Sequence, residues 1–437
     1  MLATTVIVGS VRRFLDVVQQ RAVYLWVLFS IPAVSTFGHY LAPNRPFFKG
    51  HDLGVLSVLA LTVIAALLWI PLRRRSSWPT LALVFLGLLG TAWLYQVTRI
   101  QIDGSLFNIS AFAMPIILLL IAIKPVSRFE LQVGLLVLGY SLVVIAGLSL
   151  SLGPTGLVPD SFDSLNSVED RLGLLRIFGV ETRWSGPFGD VNFASPAGAL
   201  VVVIGLSSRG LNRFVLPIAG ILILVLGQSR TATVALILAL LVMAVASSTV
   251  RSSRFRLQIQ IAAVATVVTS VAAYVVMFDP SLNGRTPIWN DFLELFFSEP
   301  LIGVGNEAIL DFMERDAEQQ GFIFHTHGHS VLIDGAARFG FFFAALTVSL
   351  YAISLVAGAR ALPSFGPGPL GLAVFCIAAG AAETIYSWNY WSIYSAVLVF
   401  TVLAACVPED GQWDNCKAEG SSLSFSGAGN TESLTGD

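Results

Sequence analysis

Long apolar runs decide what this chain can fold into. About twelve stretches approach the roughly 20 mostly apolar residues that a bilayer-crossing helix needs. They run over Ala22–Leu41, Leu53–Leu72, Thr80–Thr98, Leu106–Ile123, Leu131–Leu152, Phe193–Ser208, Phe214–Ser229, Thr231–Ser247, Leu257–Phe278, Ser330–Ala357, Leu370–Tyr386 and Tyr390–Cys406. Only 12% of residues are charged, against about 25% in soluble proteins. Mean hydropathy is +0.78. The sequence therefore predicts an all-α, polytopic transmembrane bundle with helical extramembrane loops.

Basic residues in short loops orient such a bundle, because Lys and Arg stay on the cytoplasmic side. Arg12, Arg13 and Arg21 precede the first run, and Arg73, Arg74 and Arg75 follow the second. Lys124 and Arg128, Arg209 and Arg213, then Arg251, Arg254 and Arg256, and finally Arg360 fall on the same side. Both termini are then cytoplasmic, and two long loops, Gly153–Asn192 and Asp279–His329, lie outside. Residues 1–21 form a cytoplasmic lead-in, 22–406 the membrane domain, and 407–437 a tail too rich in Gly, Ser and acids to bury a core. The apolar stretch Met1–Gly9 precedes its basic pair, the reverse of a cleavable signal peptide, so the first span is expected to remain as an anchor. Cys376, Cys406 and Cys416 do not make a disulfide framework. A net charge of −2 gives no sign of a nucleic-acid partner.

The first outer loop ends in Arg183-Trp184-Ser185-Gly186-Pro187-Phe188, running on to Asn192. An Arg beside a Trp at a membrane surface can grip a phosphate while the ring lies at headgroup level, or can simply anchor the chain there. Gln228-Ser229-Arg230-Thr231 is a polar break between two apolar runs. Arg230 is either functional, as costly membrane charges tend to be, or a hairpin residue that snorkels.

The second loop is richer. Asn283-Gly284-Arg285-Thr286-Pro287 reads as a turn into a helix, with Pro in its first turn. Trp289, Phe292 and Phe296 then share one face, and Asn290, Asp291 and Glu294 the other. Gly303-Val304-Gly305 marks a close backbone turn, and a second polar helix follows over about Ala308–Gln319. The loop closes with His325-Thr326-His327-Gly328-His329, which holds three of the five histidines. On an extended strand the three rings would share a face and suit zinc. Alternatively one is a general base at the head of a span, or all are solvated. Asp334 and Arg338, four apart, are expected to pair across one helical turn. Glu383 is a further ionisable group at similar depth, near the end of the next span.

Read in order, these pieces resemble the superfamily of O-antigen ligases and polymerases, membrane glycosyltransferases of the bacterial envelope. The likeness rests on Ser229-Arg230 at a hairpin, Gly284-Arg285 with Trp289, Pro300-Leu301-Ile302-Gly303-Val304-Gly305, His329-Ser330, and Arg338-Phe339-Gly340 in the following span. Upstream, Arg183 to Asn192 is similar to the family's Arg-to-Asn segment. Ser330 stands where Asn is common, and His325 and His327 are additional.

The resemblance implies a GT-C-like fold in the cytoplasmic (inner) membrane with an extracytoplasmic active site. It implies a glycan donor carried on a polyprenyl diphosphate such as undecaprenyl diphosphate, and a glycan or glycolipid acceptor. No cofactor or metal is implied. His329 would take the proton of the attacking hydroxyl. Arg285 and Arg230, or Arg183 in place of Arg230, would hold the diphosphate, and the anomeric centre would invert. Arg183, Asn192, Trp289, His327 and Arg338 would contribute to substrate binding. Two other classes compete. A secondary transporter of a polar or anionic solute would place its charges near mid-bilayer in two related halves. A membrane scaffold would leave the clustered histidines and arginines without a purpose.

Overall fold

The computed structural model describes residues 23–41, 50–69, 79–102, 113–123, 127–153, 183–188, 191–248, 285–320, 328–383, 388 and 391–407. Among them the chain is helical throughout, apart from turns and an isolated bridge at Trp184. In chain order the helices are α1 (Val23–Leu41), α2 (Gly50–Trp69), α3 (Thr80–Ile102), α4 (Ala113–Ile123), α5 (Arg128–Leu152), α6 (Val191–Leu206), α7 (Asn212–Gly227), α8 (Arg230–Ser248), α9 (Arg285–Ser298), α10 (Asn306–Gln320), α11 (Val331–Arg360), the short α12 (Leu362–Phe365), α13 (Gly368–Ala382) and α14 (Ile393–Cys406).

These helices follow the apolar runs of the sequence closely. The run Leu257–Phe278, both terminal segments and His325 and His327 lie outside the described residues. Four helices, α3, α5, α8 and α11, are long and apolar enough to cross a membrane, and seven shorter apolar helices join them. Two of the shorter ones are limited locally. α6 and α7 have 16 residues each, about 24 Å at 1.5 Å per residue, because tight turns at Ser207–Leu211 and Gln228–Ser229 end them early.

α6 and α7 form an antiparallel hairpin with their backbones in near contact. A Cβ at Gly198 would stand 2.7 Å from the Gly220 carbonyl oxygen, and Gly220 is equally hemmed in by Val202. Small residues allow such an approach where lipid supplies no hydrophobic drive between helices. α13 packs between α8 and α11, with α14 on a further side. It is buried along nearly its whole length. This central place lets the end of α13 meet the starts of α8 and α11.

The amphipathic α9 lies on α11. Phe292 is fully buried among Ile309, Met313 and Ala337, while Asn290 and Glu294 are exposed. The helix therefore adopts the two faces its spacing predicts.

Candidate active site

Glu383 ends α13. Its backbone turns to an extended conformation there, and its carboxylate is buried at 2% exposure. An unpaired carboxylate at such a place would be costly. Here each oxygen has a cationic or imidazole partner. Oε1 accepts from Nη2 of Arg285. Oε2 stands 3.1 Å from Nδ1 of His329. Arg285 opens α9 and uses its other nitrogen, Nη1, twice, toward the Ala382 carbonyl at 2.7 Å and Thr231 Oγ1 at 3.0 Å. The planar guanidinium suits this fork. The starts of α8 and α9 and the entry to α11 thus converge on the end of α13.

His329 has φ 47, a left-handed conformation unusual for a residue with a side chain. Its surroundings hold that turn in place. The Gly328 N–H donates to Asp334 Oδ1 at 2.8 Å, and Ser330 caps α11 through Ile333 N. Asp334 Oδ2 accepts from Arg338 Nε at 3.0 Å, the pairing the sequence predicts. Arg338 Nη1 then donates to Asn306 Oδ1 at 2.8 Å, at the head of α10. Because a carboxylate only accepts, this contact favours the tautomer that carries its hydrogen on Nδ1.

A strap over Pro300–Gly305 supports the same region. α11 breaks at Gly340, where φ is 79. In an unbroken helix the Phe341 N–H would bond the Ala337 carbonyl. Instead Phe341 N donates to Pro300 O at 2.7 Å, and Val304 N donates to Ala337 O at 2.9 Å. Gly305 N donates to Arg338 O at 3.1 Å. The strap fills the break, so these backbone groups keep partners, as buried groups must. α3 fastens both sides: Tyr95 Oη donates to Phe339 O at 2.8 Å, and Arg99 Nη2 to Gly303 O at 3.2 Å.

The residues expected from sequence divide accordingly. Arg285 and His329 are brought together. Arg230 is exposed at the start of α8, next in sequence to the Thr231 that bonds Arg285. Trp289 lies one turn along α9 from Arg285, and its indole nitrogen is buried without a hydrogen-bond partner among the described residues. Arg338 belongs to the network that shapes the His329 turn. Arg183 is buried at 4% exposure beside the fully buried Trp184, whose backbone N–H donates to Leu226 O at 3.0 Å, laying this pair against the end of α7. Asn192 is half-buried in the first turn of α6.

Three partners were not legible as site residues. Glu383 stood out only as an acid closing an apolar run. Thr231 and Asn306 carried no signal of their own, being ordinary polar residues whose contacts come from distant segments.

Residues 197–348 match the family model described as O-antigen ligase. No curated protein matches the chain. The matched segment runs from within α6 to within α11 and includes Arg230, Arg285, Trp289, His329 and Arg338. That segment, about a third of the chain, is similar to the O-antigen ligase family, and the helices around it are those of a multi-pass membrane protein.

Proposed function

We propose that this protein is a glycosyltransferase that moves a glycan from a polyprenyl-diphosphate donor to a sugar hydroxyl. It works at the outer face of the cytoplasmic membrane, inverting the anomeric centre without a metal. The observation that carries the reading is the shared carboxylate: Glu383 places an arginine and a histidine on its two oxygens.

The chemistry asks for two things at once. A hydroxyl must lose a proton as it attacks, and a diphosphate must accept the electrons of the breaking C–O bond. His329 Nε2 takes the proton, and the resulting imidazolium is stabilised through Nδ1 by the Glu383 carboxylate. Arg285 and the neighbouring Arg230 donate to the diphosphate oxygens, where negative charge grows. Trp289 offers its unpartnered indole N–H from the same side of α9. The new glycosidic bond forms opposite the leaving group, and polyprenyl diphosphate departs with the bonding pair. Arg183 and Asn192 flank the α6–α7 side of this reading, and the polyprenyl tail lies along the apolar helices in the bilayer. A ligase moves a single block to a glycolipid, and a polymerase extends a glycan; the same donor chemistry serves either.

The test is transfer by purified protein given a polyprenyl-diphosphate glycan and a panel of hydroxyl acceptors, with and without chelator. Product of inverted configuration, formed equally with chelator, is expected. Activity lost to chelator and restored by zinc would replace this mechanism with a histidine-bound metal.

A further inference from the structure

We propose that a second binding site lies at the opposite end of the bundle and takes the phosphate headgroup of an anionic phospholipid. The proposal is independent of the transfer reading. α6 begins at Val191 and α13 ends at Ala382 on the active-site side; the new site is lined by Ser207 and Asn212 beyond the far end of α6 and by Pro369 at the start of α13. About 24 Å of helix separates the two ends.

The site is a cavity of about 140 Å³ between the start of α5, the α6–α7 turn and the α12–α13 corner. Arg209, Gln132 and Asn212 are among the residues that line it. Arg209 makes no ion pair among the described residues. The Asn212 Oδ1 already accepts from Tyr140 Oη at 2.6 Å, which leaves its amide nitrogen as the donating end. Ser207 and Ser208 donate to Val203 O and Ile204 O, so their hydroxyls add polarity rather than donors. No carboxylate is among the described residues that line it. Glu130, next in sequence to Phe129, accepts from the Ser127 N–H at 2.8 Å, capping its own helix. Donors without an acid partner in a recess suit an anion.

The lining is also apolar, with Phe129, Phe365 and Phe400 among its residues. Arg128 lies over the Phe365 ring at 5.2 Å, adding a second cation at the rim. The neighbouring surface exposes Phe129 at 65%, Leu211 at 74% and Phe214 at 65%. A free phosphate would gain nothing from that surface. A phospholipid uses both parts, its phosphate at the donors and its acyl chains along the exposed rings. Basic recesses between helices at a membrane surface recognise lipid headgroups in this manner.

The test uses the full chain in neutral detergent, followed by thermal unfolding and native mass spectrometry. Phosphatidylglycerol should raise the unfolding temperature saturably and stay bound, whereas phosphatidylcholine and inorganic phosphate should not. In the doubly substituted Arg209→Gln, Gln132→Leu protein the shift should disappear, while Arg213→Gln, which does not line the cavity, should retain it. Equal stabilisation by phosphatidylcholine would overturn the proposal, as would an undiminished shift in the double variant. An equal effect of inorganic phosphate would reassign the cavity to a soluble anion. The lipid comparison on the unsubstituted protein stands even if the double variant fails to fold.

Discussion

Glu383 and His329, 54 residues apart in sequence, meet at 3.1 Å through Oε2 and Nδ1. On the proposed mechanism the carboxylate has a task that follows from its position: it fixes which imidazole nitrogen carries the proton and balances the charge when the other gains one. Glu383→Gln keeps the shape and an acceptor oxygen but removes the charge. Turnover should fall by about 10²- to 10³-fold, the scale of losing one charged stabiliser, with donor KM little changed. Steady-state kinetics on purified protein would check this, and an unchanged kcat would reduce Glu383 to a structural contact.

Arg285 is held by Thr231, the Ala382 carbonyl and Glu383 together. A lysine carries the same charge yet cannot span these acceptors with one planar group. Arg285→Lys should therefore lose nearly as much transfer as Arg285→Ala. Arg285→Ala should also lower stability, by about 3–5 kcal/mol if Glu383 stays ionised in its buried place. Thermal unfolding separates the two effects: a lysine variant that is stable but inactive is the expected pattern.

Asp334 acts at one remove. It holds the Gly328 N–H with one oxygen and Arg338 with the other, and Arg338 reaches Asn306 on α10. Asp334→Ala should release the His329 turn, reducing kcat about tenfold, equivalent to roughly 1.4 kcal/mol of barrier. Asn306→Ala, further along the chain of contacts, should have a smaller effect in the same direction. Unaltered kcat in Asp334→Ala would mean that the histidine turn holds itself.

Much of this arrangement is legible in the sequence, and the boundary has a physical cause. Apolar runs announce helices because each must satisfy its own backbone within lipid, so α3, α5, α8 and α11 appear where their runs lie. Arg285 and His329 stand out in the loop motifs that resemble the family's, and the Asp334–Arg338 pair by its spacing alone. What the chain order could not reveal was convergence. Glu383 comes after the large loop in sequence and looked like one more ionisable group near a span end. Its importance depends on α13 packing between α8 and α11, which no local pattern encodes. Arg338 shows the same limit: its spacing predicts the pair with Asp334, but not the bond to Asn306 on α10.

The last prediction concerns the strap. Gly303 and Gly340 face each other across it, with φ of 72 and 79. A Cβ on Gly340 would collide with the Leu301 carbonyl, and one on Gly303 with the backbone of Arg338 and Phe339. Either alanine must therefore push the strap out of the break in α11. That exposes the Phe341 N–H and the Ala337 carbonyl, which the strap now satisfies. Left-handed strain of about 1–3 kcal/mol and lost bonds of about 1 kcal/mol each set the scale for either single variant. Because both substitutions disrupt one contact, their effects should not add: once the strap has left, the second alanine meets nothing. Unfolding temperatures of Gly303→Ala, Gly340→Ala and the pair would decide it. A double variant no worse than the poorer single one is expected, and full additivity would show that the two glycines serve separate parts of the fold.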